Sequence, residues 1–354
     1  MSTTALPPVQ SVLLIVNRPA GTGRSAADLD GLRQAFEAGF ASIPQRVFQV
    51  TDDHAAVLRL TREFVNTNPG PHCLLAGGGG GTTRALINGL LSARAPGTPG
   101  LGAARVGVLR LGSGNLIAKR LGMPADPFVG LRVLAEGLCA GRVQPGWAYR
   151  CTFDLPDGSQ QVEHGLALGS LGQFARVPAE VERWKQTHLG LVRWATRFVP
   201  LEVITNGQYA LFSLMRALAV ILQPGRAEPI EIRQGGRSER LRLLAGVLLV
   251  FDLPQIPVRA AGQFGEPRLT LGLLPLESRR QLLAALWHWR NFGGRLRKYA
   301  ITPEAALEMR YLGPDLVTVA LDEDTITTAA RRLTWEVVGP LTFITGIADS
   351  ETTS

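Results

Sequence analysis

Three glycine-rich turns in the first third of the chain carry residue types suited to holding an anion. They are Asn17-Arg18-Pro19-Ala20-Gly21-Thr22-Gly23, Gly77-Gly78-Gly79-Gly80-Gly81-Thr82 and Gly112-Ser113-Gly114-Asn115. Glycines let backbone N–H groups come close to a phosphate, and Thr82 and Ser113 add hydroxyl donors. Each turn precedes a segment with helical periodicity, so a positive helix end would also face the anion. One such loop is weak evidence, but three favour a phosphate-bearing ligand. A Walker A loop is not present, because Gly23-Arg24-Ser25 lacks both the leading glycine and the lysine. Gly21-Thr22-Gly23-Arg24-Ser25-Ala26 does fit the dinucleotide pattern G-x-G-x-x-A. Asp52 or Asp53 would then hold a ribose, about 30 residues on rather than about 20. An NAD(P)-dependent oxidoreductase is therefore the alternative, and it leaves two of the three loops without a role.

The elements around these turns alternate. Ser11–Val16, Arg46–Val50, His72–Ala76 and Arg105–Leu111 read as buried strands. Between them lie helical patterns, one with Leu29, Leu32, Phe36 and Phe40 on a single face and one with Val57, Leu60 and Phe64. The expected fold class is α/β: a parallel-sheet domain over residues 1–145, whose strand ends share one edge and so gather the three turns at one crevice. From residue 146 the pattern changes. Trp147–Asp154 and Gln161–Leu168 read as a hairpin through Pro156-Asp157-Gly158-Ser159, with helices expected near 178–198, 207–222 and 278–291. Short strands are expected around 229–234, 239–252, 268–274, 315–321 and 332–338. Residues 146–354 thus predict a second, predominantly antiparallel β domain with helices.

Composition narrows the classes. With 45% hydrophobic residues there is ample core material, and the net charge is +8. Three cysteines with no C-x-x-C pair speak against a disulfide framework or a zinc site and for a reducing, cytoplasmic setting. No apolar run reaches the roughly 18 residues of a membrane span. The five histidines show no H-x-x-x-H spacing, and Leu111 before Gly112-Ser113-Gly114 breaks the serine-hydrolase elbow. The positive charge alone is no nucleic-acid motif, so no nucleic-acid partner is expected.

Taken together, the turns resemble the diacylglycerol kinase catalytic-domain family, which includes bacterial lipid kinases and sphingosine kinases. Asn17, Gly21 and Gly23 resemble its N-P-x-x-G-x-G turn, with the proline displaced to Pro19. Gly78, Gly79, Gly80, Gly81 and Thr82, through Asn88-Gly89, resemble its G-G-D-G-T loop, and Gly112, Ser113 and Asn115 its G-T-x-N-D turn. Thr51 falls where family members have a nucleotide-contacting threonine. Leu321-Asp322-Glu323-Asp324 is similar to the D-G-E motif, which makes Asp324 the implied base. The resemblance implies an ATP-binding α/β domain and a β-rich lipid-substrate domain. It also implies Mg²⁺ as cofactor and transfer of the ATP γ-phosphate to a lipid hydroxyl, diacylglycerol- or sphingosine-like. The sequence departs from the family at Gly80 and Leu116, each replacing an aspartate, and at Glu266-Pro267-Arg268, where Glu266 keeps one metal-binding carboxylate at best. A ligand-binding relative without turnover is therefore the second expectation.

Two basic, aromatic-rich stretches predict contact with an anionic membrane at its inner face. Between Arg183 and Arg226 there are six Lys/Arg residues and one acid, Glu202, with Trp184 and Trp194 suited to the headgroup level. A second cluster runs from Arg279 to Lys298 with Trp287, Trp289 and Phe292. A homodimer is left open.

Overall fold

A computed structural model describes residues 7–21, 25–93, 103–112, 114–196, 198–199, 201–223, 227–252, 263–276, 296–313, 316–322 and 324–346. The expected helix near 278–291, and most of the basic cluster from Arg279, lie outside these residues. The chain forms two compact units, one of residues 1–146 with 339–354 and one of 147–338. The sequence reading puts all of 146–354 in the second domain. The structure returns the C-terminal segment to the first unit, because the end of the last strand pairs there.

In the first unit, strands β1 (Ser11–Asn17), β2 (Gln45–Thr51), β3 (His72–Gly78) and β4 (Ala104–Arg110) form a parallel sheet in the order β2-β1-β3-β4. Unbroken apolar runs explain why β1 and β3 are buried along their whole length. Helices α1 (Ala26–Gly39), α2 (His54–Thr67), α3 (Gly80–Ser92), α4 (Leu116–Arg120) and α5 (Pro127–Cys139) surround it, α1 packing with α5 and α2 with α3. Local chemistry sets their starts. Ser25 and Asp28 form a capping box on α1, and Asp53 caps α2 through the Ala56 amide at 2.6 Å. From β1 the chain moves to one side, to β2, and then crosses to the other side, to β3. The order therefore reverses between β1 and β3, which opens a crevice beyond their carboxyl ends.

The second unit is antiparallel. Strand β5 (Val143–Asp154), which starts in the first unit, pairs with β6 (Gln160–Gly165), and Asp154 lies opposite Gln160 across the expected turn. The hairpin is shorter than expected, since Leu168 opens a separate strand, β7 (Leu168–Gly172). The helical region is α6 (Val177–Thr187), α7 (Leu189–Ala195) and α8 (Leu201–Leu222), broken at His188 where one helix was expected. Strands β8 (Glu228–Gln234), β9 (Arg237–Leu249), β10 (Leu269–Pro275), β11 (Arg297–Ile301), β12 (Leu307–Tyr311), β13 (Val317–Leu321), β14 (Asp324–Thr328) and β15 (Arg332–Ile344) complete it. The long β9 pairs first with β8 and then, over its second half, with β7 and β10. Trp335 and Tyr149 fill the core with ring centroids 6.0 Å apart. β15 then runs on into the first unit, where Thr342 and Phe343 pair in parallel with β4. Among the described residues no helix is long and apolar enough to cross a membrane.

Candidate functional site

The three glycine turns do meet on one edge of the parallel sheet. Gly21 has φ +71°, and a Cβ there would lie 2.7 Å from the Leu111 carbonyl oxygen, so the turn after β1 touches the turn after β4. A Cβ on Gly112 would lie 2.2 Å from Cα of Gly79, so the turn after β4 also touches the start of α3. Only glycine permits either approach. The third link is polar: Asn17 Nδ2 donates to Thr82 Oγ1 at 3.1 Å, at the point where the strand order reverses. Asn17 Oδ1 is buried and finds no partner among the described residues. Having accepted from Asn17, the Thr82 hydroxyl still has its own proton to donate.

The glycine run from Gly77 to Gly81 is not the open loop that the sequence suggests. Gly77 and Gly78 complete β3, Gly79 is the cap residue, and Gly80 and Gly81 already belong to α3. The first bond of the helix runs from the Thr83 amide to the Gly79 carbonyl at 3.1 Å. Gly80, Gly81 and Thr82 therefore have N–H groups without an intrahelical acceptor, and no side chain caps them. Gly81 has a second constraint. A Cβ there would lie 2.3 Å from Cε1 of His54, the first residue of α2. His54 is one of five histidines without metal-ligand spacing, and a lone histidine carries no signal of this packing in the sequence.

Asn115 takes a left-handed conformation, φ +52°, and braces its own turn. Its Oδ1 accepts from the Gly112 amide at 2.9 Å, and its Nδ2 donates to the Gly112 carbonyl at 2.6 Å. Thr51 is buried at the end of β2, where its hydroxyl donates to the Asp53 carbonyl at 2.9 Å and accepts from the Asp53 amide at 3.1 Å. Asp52 pairs with both Nε and Nη2 of Arg18, which holds the guanidinium above its usual pKa. With Asp53 capping α2, both carboxylates proposed as ribose ligands are already engaged. Gly23 and Ser113 lie outside the described residues.

The acidic turn belongs to the second unit. Leu321 and Asp324 face each other across β13 and β14. Asp324 is half-buried at the start of β14. Asp322, buried with φ +54°, does a different job from a simple neighbour of the base. Its carboxylate accepts from the backbone amides of Leu166 and Ala167, each at 2.9 Å, and of Leu168 at 3.1 Å. It fixes the connection between β6 and β7 to the β13–β14 turn. Glu266 sits exposed in a turn.

These residues fit one implied ligand and not the other. The first unit supplies open helix amides, a threonine hydroxyl and two close backbone approaches, which suit the phosphates of a nucleotide. A magnesium ion needs carboxylate oxygens. Among the described residues no cluster of three His, Cys, Asp or Glu side chains is placed to hold a metal, and Gly80 brings none to the loop.

Comparison with known proteins agrees with this edge. Residues 11–144 match the family described as diacylglycerol kinase catalytic domain, a stretch that takes in β1 to β4 and all three turns. A stretch of 88 residues is 36% identical to the "probable lipid kinase YegS-like" of Chromohalobacter salexigens. That similarity covers 25% of this chain and 26% of the relative, so it spans about a quarter of either protein. The solved structure of a diacylglycerol kinase from Bacillus anthracis superposes with a TM-score of 0.57 at 13% identity, over 95% of this chain and 97% of that one. A second structure from the same organism gives 0.63 at 15% identity, over 98% of both chains. At such identities the likeness is one of fold, an α/β unit with a parallel sheet followed by an antiparallel one.

Proposed function

From the match of residues 11–144 to the diacylglycerol kinase catalytic domain, we propose that this chain is a lipid kinase that transfers the γ-phosphate of ATP to a lipid hydroxyl, with a diacylglycerol- or sphingosine-like acceptor. A cytoplasmic setting goes with this reading. The observation that supports it most is the convergence of the turns after β1, β3 and β4, tied by Gly21 to Leu111, Gly112 to Gly79 and Asn17 to Thr82. ATP supplies the transferable phosphoryl group. The amides of Gly80, Gly81 and Thr82 and the Thr82 hydroxyl bind and orient its phosphates, and Asn17 holds that hydroxyl in place. Asp324 takes the proton of the acceptor hydroxyl, and Asp322 keeps the turn that carries Asp324 in shape. Phosphoryl transfer relies mainly on positioning and charge stabilisation, so a few such groups suffice. The family implies a divalent cation, but no step is assigned to it, because the described residues offer no donor set.

Gly80 and Leu116, at positions where the resemblance calls for aspartates, favour a second reading: a relative that binds nucleotide without turnover. Incubation with labelled ATP, Mg²⁺ and a panel of detergent-dispersed lipids, beside calorimetry with ATP and NADP, separates these readings. Labelled lipid supports the kinase. ATP binding without labelled lipid supports the second reading. Preference for NADP over ATP overturns both.

A further inference from the structure

Arg110 is the last residue of β4 and stands across from Gly78 in the parallel pairing of β4 with β3. Residues opposite each other in such a ladder send their side chains to the same face of the sheet. Gly78 has no side chain, and a Cβ there would lie 2.2 Å from Thr82 Oγ1. Arg110 therefore leaves β4 on the face that Thr82 occupies, one residue before the Leu111 carbonyl that Gly21 approaches. Its side chain is half-buried. One long bond holds it, from Nη1 to the Met123 carbonyl at 3.4 Å, and Nε is buried without a partner. Among the described residues no carboxylate pairs with Arg110. A charge drawn out of water without a counter-charge is costly, so a guanidinium held this way is ready to take an anion. The acids at this edge are engaged or missing. Asp52 is paired with Arg18, Asp53 caps α2, and the two positions where the resemblance calls for aspartates hold Gly80 and Leu116.

We propose that Arg110 binds the phosphates of the nucleotide directly and supplies the positive charge that a metal ion would otherwise bring, so that ATP binds at this edge as the free anion. The inference rests on the nucleotide part of the lipid-kinase reading and concerns binding alone. A guanidinium suits the task, because it is always charged and its parallel N–H donors match two phosphate oxygens at once. The missing side chain of Gly78 lets Thr82 close up against the strand, which puts its hydroxyl and the guanidinium on one face of the glycine turn. The open amides of Gly80, Gly81 and Thr82 add to the same positive field. Magnesium works against this arrangement. It takes oxygen ligands that the described residues do not gather, it occupies phosphate oxygens that Arg110 would bond, and its charge is repelled by the guanidinium.

Calorimetry with ATP, once in EDTA and once in excess Mg²⁺, tests the proposal. The wild-type chain should bind ATP in EDTA at least as tightly as in Mg²⁺. Arg110→Met keeps most of the side chain without its charge and should weaken binding in EDTA by about ten- to a hundredfold. Binding in Mg²⁺ should fall less, so the ratio of the two affinities drops. A merely structural role would lower both affinities alike and leave that ratio where it was. Arg110→Lys keeps the charge without the fork and should restore the ratio, at an affinity between the other two. Urea unfolding accompanies each titration, and Arg110→Gln is the second neutral variant if Arg110→Met does not fold. ATP binding that requires Mg²⁺ overturns the proposal and leaves the kinase reading standing, since labelled lipid reports on that separately. A folded neutral variant that binds ATP like the wild type, or that keeps the wild-type ratio, overturns it as well. No ATP binding in either buffer overturns the proposal together with the nucleotide reading beneath it.

Discussion

The side-chain amide of Asn17 donates to Thr82 Oγ1 over 3.1 Å, and this bond joins the carboxyl end of β1 to the first turn of α3. Both residues are buried, so removing one partner leaves the other without its hydrogen bond away from water. Asn17→Ala should cost about 1–3 kcal/mol in urea unfolding. It should also weaken ATP binding by calorimetry, because the Thr82 hydroxyl loses its orienting donor. Unchanged ATP affinity in the folded variant would show that this bond serves the fold alone.

Gly112→Ala is the cleaner probe of the convergence itself. The new Cβ would lie 2.2 Å from Gly79 Cα and 2.9 Å from Gly79 N, backbone atoms that cannot rotate aside. The loops must separate, at roughly 1–3 kcal/mol of stability and at least about tenfold in ATP affinity. Gly81→Val is less informative, since the side chain would strike the His54 ring and report on packing. Gly207→Ala in α8, where a Cβ meets nothing within 4 Å, should gain about 0.5–1 kcal/mol and leave ATP affinity alone.

Asp322 and Asp324 should separate by phenotype. Asp322→Asn puts an amide where a carboxylate accepts three backbone N–H groups, and should lose about 1–3 kcal/mol of stability. Asp324→Asn leaves those three amide bonds in place and should cost less stability than Asp322→Asn. It should lose on the order of 10²–10⁴ in the rate of lipid phosphorylation, with ATP affinity kept. A variant at Asp324 that keeps the wild-type rate removes it as the base.

Glu228 gives a pH signature. Burial pushes its carboxyl up to about 7, against the opposing pull of Arg176, and raises the neighbouring Tyr311 hydroxyl as well. The folded chain therefore holds a proton that the unfolded chain, with a carboxyl near 4.5, has released. Stability should fall as pH rises from about 4.5 to about 7 and then level, by about 3 kcal/mol at most. Glu228→Gln should remove most of that slope in urea unfolding at about pH 5 and about pH 8.

The sequence by itself determined the parts that depend on near neighbours. Apolar runs placed β1 to β4 to within about two residues. Glycine clusters located the three turns, and the alternation of elements implied that their strand ends share an edge. Along the second unit, strand signals weakened where pairing, more than pattern, defines the strand. Thus β11, β12 and β14 went unread, and β15 proved longer than its pattern.

Tertiary structure decided what separate parts of the chain do to one another. Asn17 and Thr82 are 65 positions apart, and only the crossover that puts β3 beside β1 brings them together. The same crossover sets His54 against Gly81. Asp322 looked like half of an acidic pair until the chain 155 residues away delivered the Ala167 amide to it. In α8 the sequence announced a helix but not which of its faces is buried. The core then took the polar side, with Thr205 and Gln208 buried and Leu214 and Leu218 exposed, because periodicity fixes which residues share a face and only packing fixes which face turns inward.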